Sequence, residues 1–188
     1  MMGLSEDNEM TSELVVLLSE TGELTGYELK SKVHHTATPL HLAFSCYLFN
    51  PLGQVLVTRR ALTKLTWPGV WTNSFCGHPA PQEEFESAIQ RRAQQELGAQ
   101  VNHIKLVLPD FRYRAVDASG IVENEICPVF TAQIDSELAP QPSEVCEWMW
   151  VDRQNLTEAV KRMPLAFSPW MAQQLPELEN LWTQQGEL

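Results

Sequence analysis

In "HLAFSCYLFNPLGQVLVTRR", residues 41–60, apolar and β-branched side chains fill two runs on either side of Asn50-Pro51-Leu52-Gly53. Asn, Pro and Gly supply turn chemistry there, so the pattern predicts a β-hairpin. From Gln82 to Leu97 the period lengthens: Phe85, Ala88, Ile89, Ala93 and Leu97 recur at helical spacing, acids fill the first turn, and Gly98 stands just past the end. Those signals predict a helix. "ELVVLLSETGEL" (13–24) reads as a strand entering a hairpin turn, with a short helix as the alternative. "VNHIKLVLPDFRYRA" (101–115) and "GIVENEICPVFTAQI" (120–134) each read as a strand, and "EVCEWMWV" (144–151) as a third. Two helices are expected to close the chain, over 152–163 and 168–185, the second with Ser168 as N-cap and Pro169 at its first position. Strands on both sides of a central helix give an α/β or α+β class, a mixed β-sheet packed between helices.

The length of 188 residues with 44% hydrophobic content fits one domain with a sizeable core. Residues 1–13 are polar and acidic without periodicity and read as a loose leader. A formal charge of −11 argues against nucleic acid or an anionic membrane as partner. An anionic small molecule needs a metal or local Lys and Arg to cancel its charge. No apolar run of membrane-spanning length and no secretory signal pattern is present, so a soluble cytoplasmic protein is expected. Cys46, Cys76, Cys127 and Cys146 form no CxxC pair and are expected as free thiols, with Cys46, Cys127 and Cys146 packed in strands as small hydrophobes.

The candidate chemistry lies in two stretches. In an extended "GIVENEICPVF", Glu123 and Glu125 share a face and Asn124 points opposite. That pair is either a solvated outer face or, with a cation between the carboxylates, a buried site. His34, His35 and His41 cluster in "KVHHTATPLHLAF", and His78 follows Cys76 in "TNSFCGHP", whereas His103 stands alone and reads as structural or exposed. Imidazoles together with carboxylates suit Zn²⁺, Mn²⁺ or Fe²⁺. Cys76 is open to three readings: metal ligand, buried thiol, or catalytic group.

The run from Gly77 to Glu83 and on through "RRAQQELG" (91–98) resembles a Nudix box. It is degraded, because Arg92 and Gln95 replace two expected glutamates and only Glu96 remains, which speaks against a multi-metal diphosphate hydrolase. Taken with "RRALTKLTWPGVWTNSFCGHP", "PDFRYRA", "SGIVENEICPVF" and "FSPW", the chain resembles the type I isopentenyl-diphosphate isomerases, a Nudix-fold family. The resemblance runs over about residues 26–175, which sets a single domain at 26–188 behind a partly ordered N-terminal leader, 1–25. It implies interconversion of isopentenyl and dimethylallyl diphosphate, in isoprenoid biosynthesis, through a tertiary carbocation. It further implies Cys76 and Glu125 as proton-transfer groups, Tyr113 assisting Glu125, and Trp170 stabilising the cation with its π face. A Mn²⁺ or Zn²⁺ ion would bind His34, His41, His78, Glu123 and Glu125. The seven-residue step to His41 favours His34, and His35 stays as the alternative. Mg²⁺ would bridge the diphosphate to Glu96. Lys30, Arg60, Lys64 and Arg92 are the candidate diphosphate contacts, and a monomer or weak homodimer is expected.

Overall fold

The computed structural model describes residues 13–184, with side chains to Trp182, so the acidic leader lies almost wholly outside the described residues. The elements in order are β1 (Leu14–Leu18), β2 (Leu24–Leu29), α1 (Lys30–Val33), β3 (His41–Leu42), β4 (Phe44–Phe49), β5 (Val55–Arg60), β6 (Trp71–Thr72) and β7 (Phe75–Gly77). They continue with α2 (Phe85–Leu97), β8 (Val101–Leu108), β9 (Arg112–Val116), β10 (Val122–Ile126), β11 (Val129–Ile134), β12 (Val145–Val151), α3 (Arg153–Arg162) and α4 (Pro169–Gln184). The expected hairpin of β1 and β2 is present and straddles the boundary drawn at residue 25. No helix among the described residues is long and apolar enough to cross a membrane.

The mixed sheet is realised as two. A five-stranded sheet has the order β2-β1-β3-β10-β9, and a seven-stranded sheet follows β12-β5-β4-β11-β8, with β6 on β5 and β7 on β4. The apolar runs over 101–115 and 120–134, each read as one strand, are both split. One breaks at Pro109-Asp110 and the other at Cys127-Pro128, and their halves enter different sheets. Proline has no N–H for a ladder, so the split falls where pairing must lapse. The chain makes the same change of sheet at Ala43, between β3 and β4. β10 runs parallel to β3 with Glu125 opposite His41, which places both at the edge of this divide.

The β4–β5 hairpin turns as its chemistry requires. Asn50 Oδ1 accepts from the backbone N–H of Leu52 and of Gln54, both at 3.0 Å, and Gly53 supplies the positive φ. Every residue of β4 is buried, and its alternation divides the core. Phe44, Cys46 and Leu48 pack with Ala88, Ile89, Ala93 and Leu97 of α2, while Tyr47 and Phe49 pack with Met171, Leu175 and Leu178 of α4. Asp152 caps α3, its carboxylate accepting from the N–H groups of Gln154 and Asn155. Two thiols depart from expectation: Cys127 is buried but lies in the link between β10 and β11, and Cys146 on β12 is exposed.

Gly98 ends α2 at φ +60°, where a Cβ would meet the Ala139 carbonyl oxygen at 2.7 Å. Ala139 donates its N–H to the Leu97 carbonyl, so this backbone cannot easily retreat. Gly98→Ala is expected to cost about 1–3 kcal/mol, read as a lower denaturation midpoint in urea.

Candidate active site

One cavity of about 320 Å³ is lined by every candidate site residue except His41 and the alternative His35. His41 is fully buried behind it. The alternation argument for "GIVENEICPVF" holds: Glu123 and Glu125 on β10 both turn inward, while Asn124 reaches the other way to the Thr38 carbonyl.

Three imidazoles pack around Glu125. The ring centroids of His34, His41 and His78 lie 5.1 to 5.7 Å from one another, and donor atoms of these three and of Glu125 all fall within 4.8 Å of one another. His41 Nδ1–H donates to the Pro39 carbonyl at 2.9 Å, which leaves the Nε2 lone pair free. That Nε2 is buried without a hydrogen-bond partner; it stands 3.4 Å from Glu125 Oε1, at ion-pair distance but not in hydrogen-bonding geometry. His78 Nε2 approaches the same oxygen at 3.4 Å. A carboxylate and imidazole nitrogens converging in a largely buried pocket form a donor set that fits a divalent transition-metal ion. Glu123 stands to one side of this set, with Oε2 3.0 Å from His34 Nε2 and Oε1 accepting from Thr66 Oγ1 at 2.8 Å. His35 does not join: it is exposed, and its Nδ1 accepts from the N–H of Ala37.

Burial and charge act against each other in that set: burial would lower the His41 imidazole, but Glu125 beside it raises it above its ordinary value. Burial would raise the Glu125 carboxyl, but the close approach of the His41 and His78 imidazoles holds it well below the usual range. Burial brings the His78 imidazole down to about 4, so it is neutral at pH 7. Across the cavity, Cys76 sits on β7 opposite Ser45 of β4. Its sulfur lies 3.4 Å from both Ser45 Oγ and Asn73 Oδ1. Burial pushes the thiol up to about 12 against the lowering effect of those contacts, so it keeps its proton near neutrality.

Tyr113 of β9 is the register partner of Glu125, and its ring centroid is 5.7 Å from that of Trp170. The Trp170 indole donates to Asn73 Oδ1 at 2.9 Å, and the Arg60 guanidinium lies 5.4 Å from its ring centroid. Trp67 packs edge-on against Trp170. His103 is exposed, in line with its isolation in sequence.

The cations that line the cavity already hold partners. Lys30 pairs with Glu13 at 2.6 Å, Lys64 with Glu144, and Arg92 with Glu96, while Arg60 donates twice to the Thr66 carbonyl. Sequence reasoning missed Glu13 and Glu144, because nothing local marks a carboxylate whose partner is distant in the chain. It also passed over Asn73 and Ser45, although Asn73 lies inside the motif that held Cys76. The box remnant serves as a brace. Arg91 binds Glu83 through two parallel bonds of 2.8 and 2.7 Å, and the same guanidinium donates to the His78 carbonyl at 3.1 Å.

Comparison with known proteins agrees with this architecture. A family profile described as the NUDIX domain matches residues 39–178. The chain is 60% identical over 167 residues to an isopentenyl-diphosphate Delta-isomerase of Clavibacter michiganensis, covering 89% of this chain and 86% of the relative. It is 53% identical over 169 residues to the enzyme of that name in Brevibacterium linens, covering 90% and 93%. Among solved structures, a Deinococcus radiodurans protein superposes with a TM-score of 0.60 at 18% identity, covering 80% of this chain and 90% of that one. The MutT protein of Methanosarcina mazei gives 0.58 at 16%, covering 76% and 94%. The solved structures attest the fold alone. The curated relatives go further, and by identity sustained over nearly their whole length this chain belongs to the isopentenyl-diphosphate Delta-isomerase family, within the NUDIX proteins.

Proposed function

We propose that this protein interconverts isopentenyl and dimethylallyl diphosphate, the reaction named for its relatives, in isoprenoid biosynthesis. One observation carries the reading: Cys76, Glu125 and Tyr113 open into the same cavity as four cationic side chains, Lys30, Arg60, Lys64 and Arg92. The cations would take the diphosphate by exchanging Glu13, Glu144 and Glu96 for phosphate oxygens. The five-carbon chain would then lie between the thiol and the Glu125–Tyr113 pair.

An alkene is a poor base, so the barrier lies in forming the tertiary cation at C3. In the forward direction the Glu125 side, with Tyr113 across the strand pair, delivers a proton to C4, and Cys76 removes one from C2. In the reverse direction Cys76 protonates C2 and Glu125 accepts from C4. Burial favours the protonated form of the Cys76 thiol, while the imidazoles around Glu125 favour its ionised form. Each turnover moves one proton from one group to the other, so solvent exchange must reset the pair before the same direction repeats. Trp170 offers its π face to the cation, and burial of the site keeps out water that would trap it.

His34, His41, His78 and Glu125, with Glu123 beside them, would hold a Mn²⁺ or Zn²⁺ ion, and Glu96, with the Cys76 backbone carbonyl, would hold Mg²⁺ arriving with the diphosphate. These ions would supply fixed positive charge, acidifying the proton carried by Glu125 and neutralising the phosphates.

Metal-loaded protein incubated with isopentenyl diphosphate in D₂O is expected to yield deuterated dimethylallyl diphosphate, read by NMR. Release of inorganic phosphate without isomer would overturn the reading in favour of a hydrolase.

A further inference from the structure

We infer that Asn73 is a positioning residue that sets the Cys76 thiol and the Trp170 ring in fixed relation through a single oxygen atom; the inference rests on the isomerase reading above. Asn73 is completely buried and does not line the cavity, so it does not touch the substrate. Its Oδ1 accepts from the Trp170 indole N–H at 2.9 Å, from Thr72 Oγ1 at 2.9 Å and from the Cys76 thiol at 3.4 Å. Its Nδ2 donates to two backbone carbonyls, Cys46 at 3.1 Å and Phe75 at 2.9 Å.

The amide therefore cannot turn over. A flip would set Nδ2 against the donor-only indole N–H and Oδ1 against two carbonyl oxygens, losing at least those three hydrogen bonds in a buried interior. Because Thr72 spends its hydroxyl proton on Asn73, the 2.7 Å contact between Thr72 and Ser168 hydroxyls has Ser168 donating. Ser168 immediately precedes α4, which carries Trp170. The oxygen thus joins β6, β7 and the start of α4, elements nearly one hundred residues apart in the chain. The thiol that works at C2 and the ring that faces the cation at C3 are both hydrogen-bonded to it. Ser45 holds the thiol from another direction at 3.4 Å, and without Asn73 it would be the one polar anchor left to that sulfur among the described residues.

The test compares two rates in D₂O with isopentenyl diphosphate as substrate. Deuterium wash-in at C4 of recovered substrate needs only the Glu125 side, whereas formation of dimethylallyl diphosphate also needs Cys76. In Asn73→Ala the ratio of wash-in to isomerisation is expected to rise on the order of 100-fold, the cost of misplacing a reacting group by about 1 Å, with KM unchanged. A lower folded fraction would scale both rates together, so a ratio equal to wild type overturns the role of Asn73. Should Asn73→Ala not accumulate as folded protein, Asn73→Asp keeps the volume and the oxygen but loses both N–H donors. It is expected to move the ratio in the same direction, and an unchanged ratio there overturns the inference equally. Wild-type protein that makes no dimethylallyl diphosphate overturns the isomerase reading itself, an outcome separate from an active wild type beside an unshifted variant.

Discussion

Cys76→Ala is expected to lower turnover by about 10³-fold or more while leaving metal content and fold stability close to wild type. Loss of a positioned proton-transfer group costs about 10²–10⁴-fold. The stability cost is small because neither neighbour is orphaned. Ser45 Oγ keeps Gln174 Nε2 at 2.9 Å and the Cys127 sulfur at 3.5 Å, and Asn73 Oδ1 keeps its two stronger donors. A change of less than about 1 kcal/mol follows. Steady-state kinetics, thermal melts and elemental analysis of protein purified without chelator check all three parts. Should the alanine variant emerge stripped of transition metal, the thiol is a ligand and its assignment to proton transfer is wrong.

Glu125→Gln should fail in two ways at once. The carboxylate is the convergence point of His41 and His78, and its negative charge offsets the cost of burying a cation. A glutamine keeps the shape but brings no charge, and one end of its amide is a donor that would face lone-pair nitrogens. Metal content should fall to a small fraction of wild type, and turnover by at least about 10³-fold, since the same residue is the one proposed to carry the proton at C4. Full metal occupancy in this variant would place the binding energy elsewhere and sink the proposed ligand set. The two variants thus separate the roles: one loses chemistry alone, the other chemistry and metal together.

Much of this site was legible in the chain. Alternation alone put Glu123 and Glu125 on one face, and the helix over 85–97 carried both its start and its stop signals. His34 was favoured over His35 on spacing, and the structure seats His34 in the cluster while His35 faces solvent. The partition into two sheets was not legible. Whether "PDFRYRA" continues the strand before it depends on which partner it meets, and β9 pairs with β10 rather than with β8's neighbour β11. Nor could local pattern find the carboxylates that neutralise the cations, since Glu144 lies 80 residues from Lys64. Asn73 was visible as a residue, but its bond to the Trp170 indole exists only once α4 has docked.

The change of sheet at Ala43 and Cys127 bears on when this protein becomes active during synthesis. The thiol belongs to the larger sheet, the carboxylates and His41 to the smaller, and Trp170 arrives with the last helix. No contiguous fragment shorter than the span from Lys30 to Trp170 contains the whole proposed centre, so a ribosome-bound chain is expected to stay inert until Trp170 has emerged. Turnover is then a late, all-or-none report that both sheets and the closing helix have assembled.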